Sequence, residues 1–170
     1  MYVGIFGDYQ VRNLKLKGKN IILIRIFSEN WYNKYEILNA SKYNDVLELY
    51  INDLSKVDDI SYLKDNFQEL NSFILDNEFD EIIVHCGLGV SRSPAIMICI
   101  GYILNNMNLV ESIKENYKFY NKVIVNEFLK YDYITKDLSD KEIIFDGCIE
   151  KNKVKSLVKE NDNLYGIHIE

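Results

Sequence analysis

The sequence predicts an α/β fold laid out as one domain over residues 1–170, and three observations lead there. Short β-branched runs alternate with segments whose apolar residues recur every three or four positions, the pattern of strands and helices stacked in layers. A chain of 170 residues with 48% hydrophobic content can bury a substantial core within a single compact domain. No repeat, low-complexity tract or Pro/Gly/Ser-rich linker marks a boundary.

Taken in order, the segment through Ile51 reads as strand-rich. Ile21 to Phe27 is β-branched and apolar apart from Arg25, and Val46 to Ile51 is a second short run between Asn and Asp residues. Glu29 to Tyr43, between them, is polar and reads as a short helix and loop. From Ile60 the period changes. Ile60, Leu63, Phe67, Leu70 and Ile74 share one helical face, with Asp58 or Asp59 placed to cap it. Glu81 to His85 is a short buried strand, broken by Gly87 and Gly89 before an apolar helix opens near Pro94, where proline suits the first turn. Val110, Ile113, Tyr117 and Tyr120 form a further stripe, with Asn108 and Glu111 spaced like a capping box. Another helix is expected around Asn126 to Ile134. The tail from Lys136 carries an expected helix around Glu150 to Glu160 and a final strand, Leu164 to Ile169.

Composition narrows the function classes. A net charge of -6 with scattered Lys and Arg argues against a nucleic-acid partner or an anionic membrane surface. The longest apolar run, Pro94 to Leu104, falls short of the roughly 20 residues that span a bilayer. The sequence predicts no secretory signal, and three cysteines make a poor disulfide framework, which together fit a reduced, cytoplasmic protein.

The informative segment runs from Val84 to Pro94, Val-His-Cys-Gly-Leu-Gly-Val-Ser-Arg-Ser-Pro, between a predicted strand and a predicted helix. A loop turning from a strand end into a helix N-terminus gathers backbone N–H groups into one concavity, where the helix dipole also favours negative charge. Such a cradle suits a phosphate dianion. Cys86 in it is expected as a nucleophilic thiolate, because amides and a helix terminus stabilise the charged form. Arg92 offers a planar fork for two phosphoryl oxygens, a geometry that lysine lacks. Gly87, Leu88, Gly89, Val90 and Ser91 would supply the ligand-facing amides, the glycines allowing close approach. Ser93 can donate to the sulfur as it leaves, and His85 is expected to pin the loop by hydrogen bonds.

His85-Cys86-x-x-Gly89-x-x-Arg92-Ser93 resembles the active-site signature of the cysteine-dependent protein tyrosine phosphatases, and the Ser91-Arg92-Ser93 ending resembles the dual-specificity branch. The resemblance covers approximately Ile21 to Ile134. It implies a central, mostly parallel mixed sheet of about four to five strands flanked by helices, with 136–170 as an extra C-terminal segment. It also implies a cysteinyl-phosphate intermediate, a phosphorylated protein as substrate partner, and neither metal nor cofactor. An aspartate about thirty residues upstream is implied as general acid. Asp53, directly after Val46 to Ile51, fits, with Asp58 and Asp59 as competing choices that look more like helix caps. Asn126 falls in the stretch resembling the asparagine-led start of the family's last core helix, although Val125 stands where members usually carry proline. Leu88 likewise replaces the alanine common in the loop.

Bland alternatives exist for each residue. A Cys-x5-Arg match is short, Cys99 and Cys148 read as structural, and Gly4 with Gly7 lacks the third glycine of a dinucleotide loop. Other functions stay open: a phospho-binding module without turnover, a phosphoinositide phosphatase, and a rhodanese-type sulfurtransferase. The loop positions 87, 88, 90 and 91 carry no Lys or Arg, which favours phosphoprotein over phosphoinositide.

Overall fold

The computed structural model describes residues 1–28, 40–54 and 58–146. Five strands form one sheet in the order β3-β2-β4-β1-β5: β1 is Tyr2–Gly7, β2 Ile21–Phe27, β3 Asp45–Tyr50, β4 Glu81–Cys86 and β5 Ile144–Asp146. Every pairing is parallel, so the antiparallel member of an expected mixed sheet does not occur among the described strands. Parallel pairing brings all the strands' carboxyl ends to one edge, which is where open α/β sheets bind ligands.

Strand alternation builds two layers. Val3, Ile5, Ile22, Ile24, Ile26, Ile82, Val84 and Cys86 face a large core shared with the helices. Phe6, Ile21, Leu23 and Ile83 point to the other face, where Val11, Leu14 and Leu16 cover them. On the helical side lie α2 (Leu63–Asp76), α3 (Arg92–Ile103), α4 (Met107–Asn116) and α5 (Lys122–Phe128); the short α1 (Asp8–Val11) packs on the opposite face. α3 is apolar all round and buried at almost every position from Ser93 to Ile103, as a central helix must be. Each such Ile or Met contributes about 1.5–3 kcal/mol on burial.

Several boundaries differ from expectation. The sheet needs β1, which the expected core of 21–134 left out, and β5, which belongs to the expected extension. Residues 136–141 also dock on α3, with Lys136 N donating to Ile103 O at 2.8 Å and Leu138 N to Leu104 O at 2.9 Å. α2 begins at Leu63, not near Ile60. Asp59 is no cap but closes a turn by accepting from Ser61 N at 2.9 Å, ahead of the helix. Asn106, not Asn108, caps α4 by accepting from Leu109 N at 2.9 Å, and Glu111 pairs with Lys114 instead of closing a capping box. α5 starts at Lys122 with Asn121 as its cap, four residues before the expected start, and ends at Phe128. The expected helix at 150–160, the strand at 164–169 and Cys148 lie outside the described residues.

Candidate active site

The site assembles at the carboxyl edge of the sheet because each contributor directly follows a parallel strand. β4 ends on Cys86, β2 delivers Ser28, β3 delivers Ile51 and Asp53, and β1 ends on Gly7 beneath the loop. The loop of 87–91 is held from below. Asp8 N donates to Gly87 O at 3.0 Å, and Val90 packs with Leu88 and Phe119. Gly89 has φ +77, and a Cβ there would sit 2.5 Å from Phe6 C and 2.6 Å from Gly7 N. Both the left-handed backbone and the close strand approach therefore require glycine at 89.

Cys86 is 3% exposed, and its sulfur meets two donors or donor candidates. Gly89 N–H donates to Sγ at 3.3 Å, and the buried Ser93 hydroxyl lies 3.2 Å from it. The N-terminus of the 12-residue α3 adds its partial positive charge beside the same atom. Arg92 is anchored through Nη1, which donates to Ser28 Oγ at 2.8 Å and to Ile51 O at 3.1 Å. Its Nε is buried and pairs with no described residue, while Nη2 comes within 3.6 Å of where a Gly87 Cβ would be. Nη2 therefore lies beside the loop, and a guanidinium's Nε–Nη2 edge can take two oxygens of one anion.

Asp53 is exposed at the loop's rim and accepts at Oδ1 from Ser91 Oγ at 2.6 Å and Asn121 Nδ2 at 2.9 Å. Ser91 thus gives α3 no side-chain cap; its hydroxyl is used on the aspartate. Asp58 and Asp59 belong to the exposed turn before α2, where Asp59 accepts from Ser61 N.

His85 sits one residue from Cys86, so the pleat sends it to the opposite face of β4. There it is 1% exposed, beside Arg25 of β2, whose Nε donates to His85 Nε2 at 3.4 Å; Nδ1 lies 3.9 Å from Asp8 Oδ1. Arg25 also pairs with Glu48 of β3 at 2.8 Å, so a polar row of Glu48, Arg25 and His85 crosses three strands behind the loop. Burial first, then the Arg25 guanidinium, pushes the imidazole down to about 4, against the opposing pull of Asp8 and the Cys86 backbone. His85 is neutral at pH 7 and braces the strand end from behind, where a link to the loop itself was expected. Cys99 is fully buried in α3 and its thiol is pushed far up by burial, as suits a core residue.

Cys86, Arg92, Ser93, Gly89, Ser91 and Asp53 therefore converge. Asn126 does not join them: it is exposed within α5, and Asn121 occupies the place at the helix start. Asn121 was missed because the β-branched Val123, Ile124 and Val125 weaken the helical signal that would have revealed it as a cap. Ser28 carried no signal in sequence, since only folding brings it to Arg92. No protein-family model matches the chain, and a search of the curated proteins finds no match. Among the described residues no helix is long and apolar enough to cross a membrane.

Proposed function

We propose that this protein is a cysteine-dependent phosphatase acting on phosphorylated protein side chains, phosphotyrosine first and phosphoserine or phosphothreonine by the same chemistry. One observation carries the proposal: a buried sulfur held by Gly89 N–H and the Ser93 hydroxyl, with Arg92 anchored through Nη1 at the same loop and its Nε without a partner among the described residues. In the proposed reaction Cys86 Sγ attacks phosphorus while Asp53 gives its proton to the departing oxygen. The S–P bond forms as the P–O bond breaks. A water activated by Asp53 then attacks the cysteinyl-phosphate, and the sulfur leaves as a thiolate that Ser93 stabilises. Arg92 holds two phosphoryl oxygens through both steps, an interaction that strengthens as charge redistributes.

The lack of Lys or Arg at 87–91 supports a phosphoprotein over a polyphosphorylated lipid headgroup. The test is a panel of phosphopeptides and phosphoinositides, with p-nitrophenyl phosphate as reporter, on wild type and Cys86→Ser. We expect hydrolysis without added metal, inhibition by vanadate, and binding without turnover in Cys86→Ser. Chelator-sensitive activity that survives Cys86→Ser would falsify the mechanism. Binding without turnover in the wild type would identify a phospho-binding module instead.

A further inference from the structure

Asn121 does more than begin a helix. Its Oδ1 accepts from Ile124 N at 3.2 Å, which is all that capping α5 requires and which a serine could also provide. The amide nitrogen has separate partners. Nδ2 donates to Asp53 Oδ1 at 2.9 Å and to Leu54 O at 3.0 Å, both on the segment after β3. The backbone N–H donates to Ser91 O, in the loop, at 3.1 Å. One residue, only 8% exposed, thereby joins the start of α5, the aspartate segment and the loop around Cys86. Asp53 Oδ1 is already the acceptor of the Ser91 hydroxyl at 2.6 Å. Two donors converging on one carboxylate oxygen fix the rotation of the group and leave Oδ2 as the oxygen able to carry a transferable proton.

Resting on the phosphatase reading above, we infer that Asn121 is a positioning residue for the general acid: with Ser91 it locks Asp53 so that Oδ2 protonates the departing oxygen. The proton passes from Oδ2 to the bridging oxygen as the P–O bond breaks and the S–P bond forms. The alcohol leaves neutral, Asp53 becomes a carboxylate, and it regains a proton from the attacking water in the second step. Poor leaving groups depend on this transfer far more than activated ones, because an activated alcohol departs readily as its own anion. Asn121 thus sets how well the enzyme handles unactivated esters, the alkyl phosphates of serine and threonine among them.

The experiment measures kcat on aryl phosphates graded from p-nitrophenyl to phenyl leaving groups, for wild type, Asn121→Ser, Asn121→Asp, Asp53→Ala and Cys86→Ser, with a melting curve for each. Asn121→Ser keeps the helix cap; Asn121→Asp also keeps the side chain's size and replaces the Nδ2 donor by an acceptor facing a carboxylate. We expect the dependence of log kcat on leaving-group pKa to be shallow in wild type and to steepen in both variants toward that of Asp53→Ala. The ratio of p-nitrophenyl to phenyl phosphate rates should rise about tenfold or more, the scale of losing a hydrogen bond to a charged group. Adding Asn121→Ser to Asp53→Ala should not steepen it further. A folded Asn121 variant with the wild-type slope overturns the inference, even while Cys86→Ser abolishes turnover and the phosphatase reading stands. A wild-type slope in Asp53→Ala overturns it as well. No Cys86-dependent hydrolysis of any ester overturns both.

Discussion

At the sulfur of Cys86, two partners of different origin meet: a loop amide from Gly89 and the hydroxyl of Ser93, which sits in the first turn of α3. A hydrogen bond to a charged group is worth about 1.5–3 kcal/mol, so under the proposed phosphatase reaction, removing the hydroxyl in Ser93→Ala should slow breakdown of the cysteinyl-phosphate by roughly 10–10². A pre-steady-state burst of released alcohol, absent or small in the wild type, would reveal it; an unchanged burst would remove Ser93 from the second step. Arg92→Lys keeps the charge but loses the two-nitrogen edge and the anchor to Ser28 and Ile51. Its kcat should fall about 10²–10³, the scale of deleting one donor that stabilises transition-state charge. Asp53→Ala should lower turnover on unactivated esters by about 10²–10⁴, whereas Asp59→Ala, in a turn before α2, should leave it near wild type.

At the scale of elements, capping decides where helices begin, and two asparagines carry it. Asn106 caps α4 with Oδ1 while its Nδ2 donates to Leu138 O at 2.8 Å and to Lys141 O at 3.3 Å, stitching the segment that leads into β5 to the end of α3. It is wholly buried, so Asn106→Ala loses the cap and leaves carbonyls unpaired, a cost of about 2–4 kcal/mol. Urea unfolding should show a lower midpoint with an unchanged slope; an unchanged midpoint would mean that the stitching contributes nothing. Helix faces and strand runs were legible in the chain, since Ile21–Phe27 is a near-continuous apolar, β-branched run and Leu63, Phe67, Leu70 and Ile74 recur at helical spacing. Cap positions were not. Asn, Asp and Glu are abundant here, and several are spaced plausibly, so which one caps is settled by the packing of the helix it begins.

Across the whole molecule, the row Glu48, Arg25, His85, Asp8 runs behind the loop through three strands and the start of α1. The imidazole's pKa is depressed in the fold to about 4, below its ordinary 6.5, so the unfolded chain binds the extra proton between those values. Stability is therefore full above about pH 6.5 and is lost as pH falls toward 4, by on the order of 3 kcal/mol from this group. Chemical denaturation of wild type and His85→Gln from pH 4 to 7 should show the wild type losing this increment and the variant lacking it; parallel curves would assign the acid sensitivity elsewhere. The chain by itself determined the α/β class and the strand–loop–helix setting of Cys86 and Arg92. Both are properties of residues close in sequence, where local periodicity and backbone sterics act. Tertiary structure alone decided that β1 lies inside the sheet, that Ser28 anchors Arg92, and that Asn121 reaches Asp53 from 68 residues away. Those contacts arise from parallel strands delivering separate segments to one edge, and no spacing along the chain encodes which of them will meet.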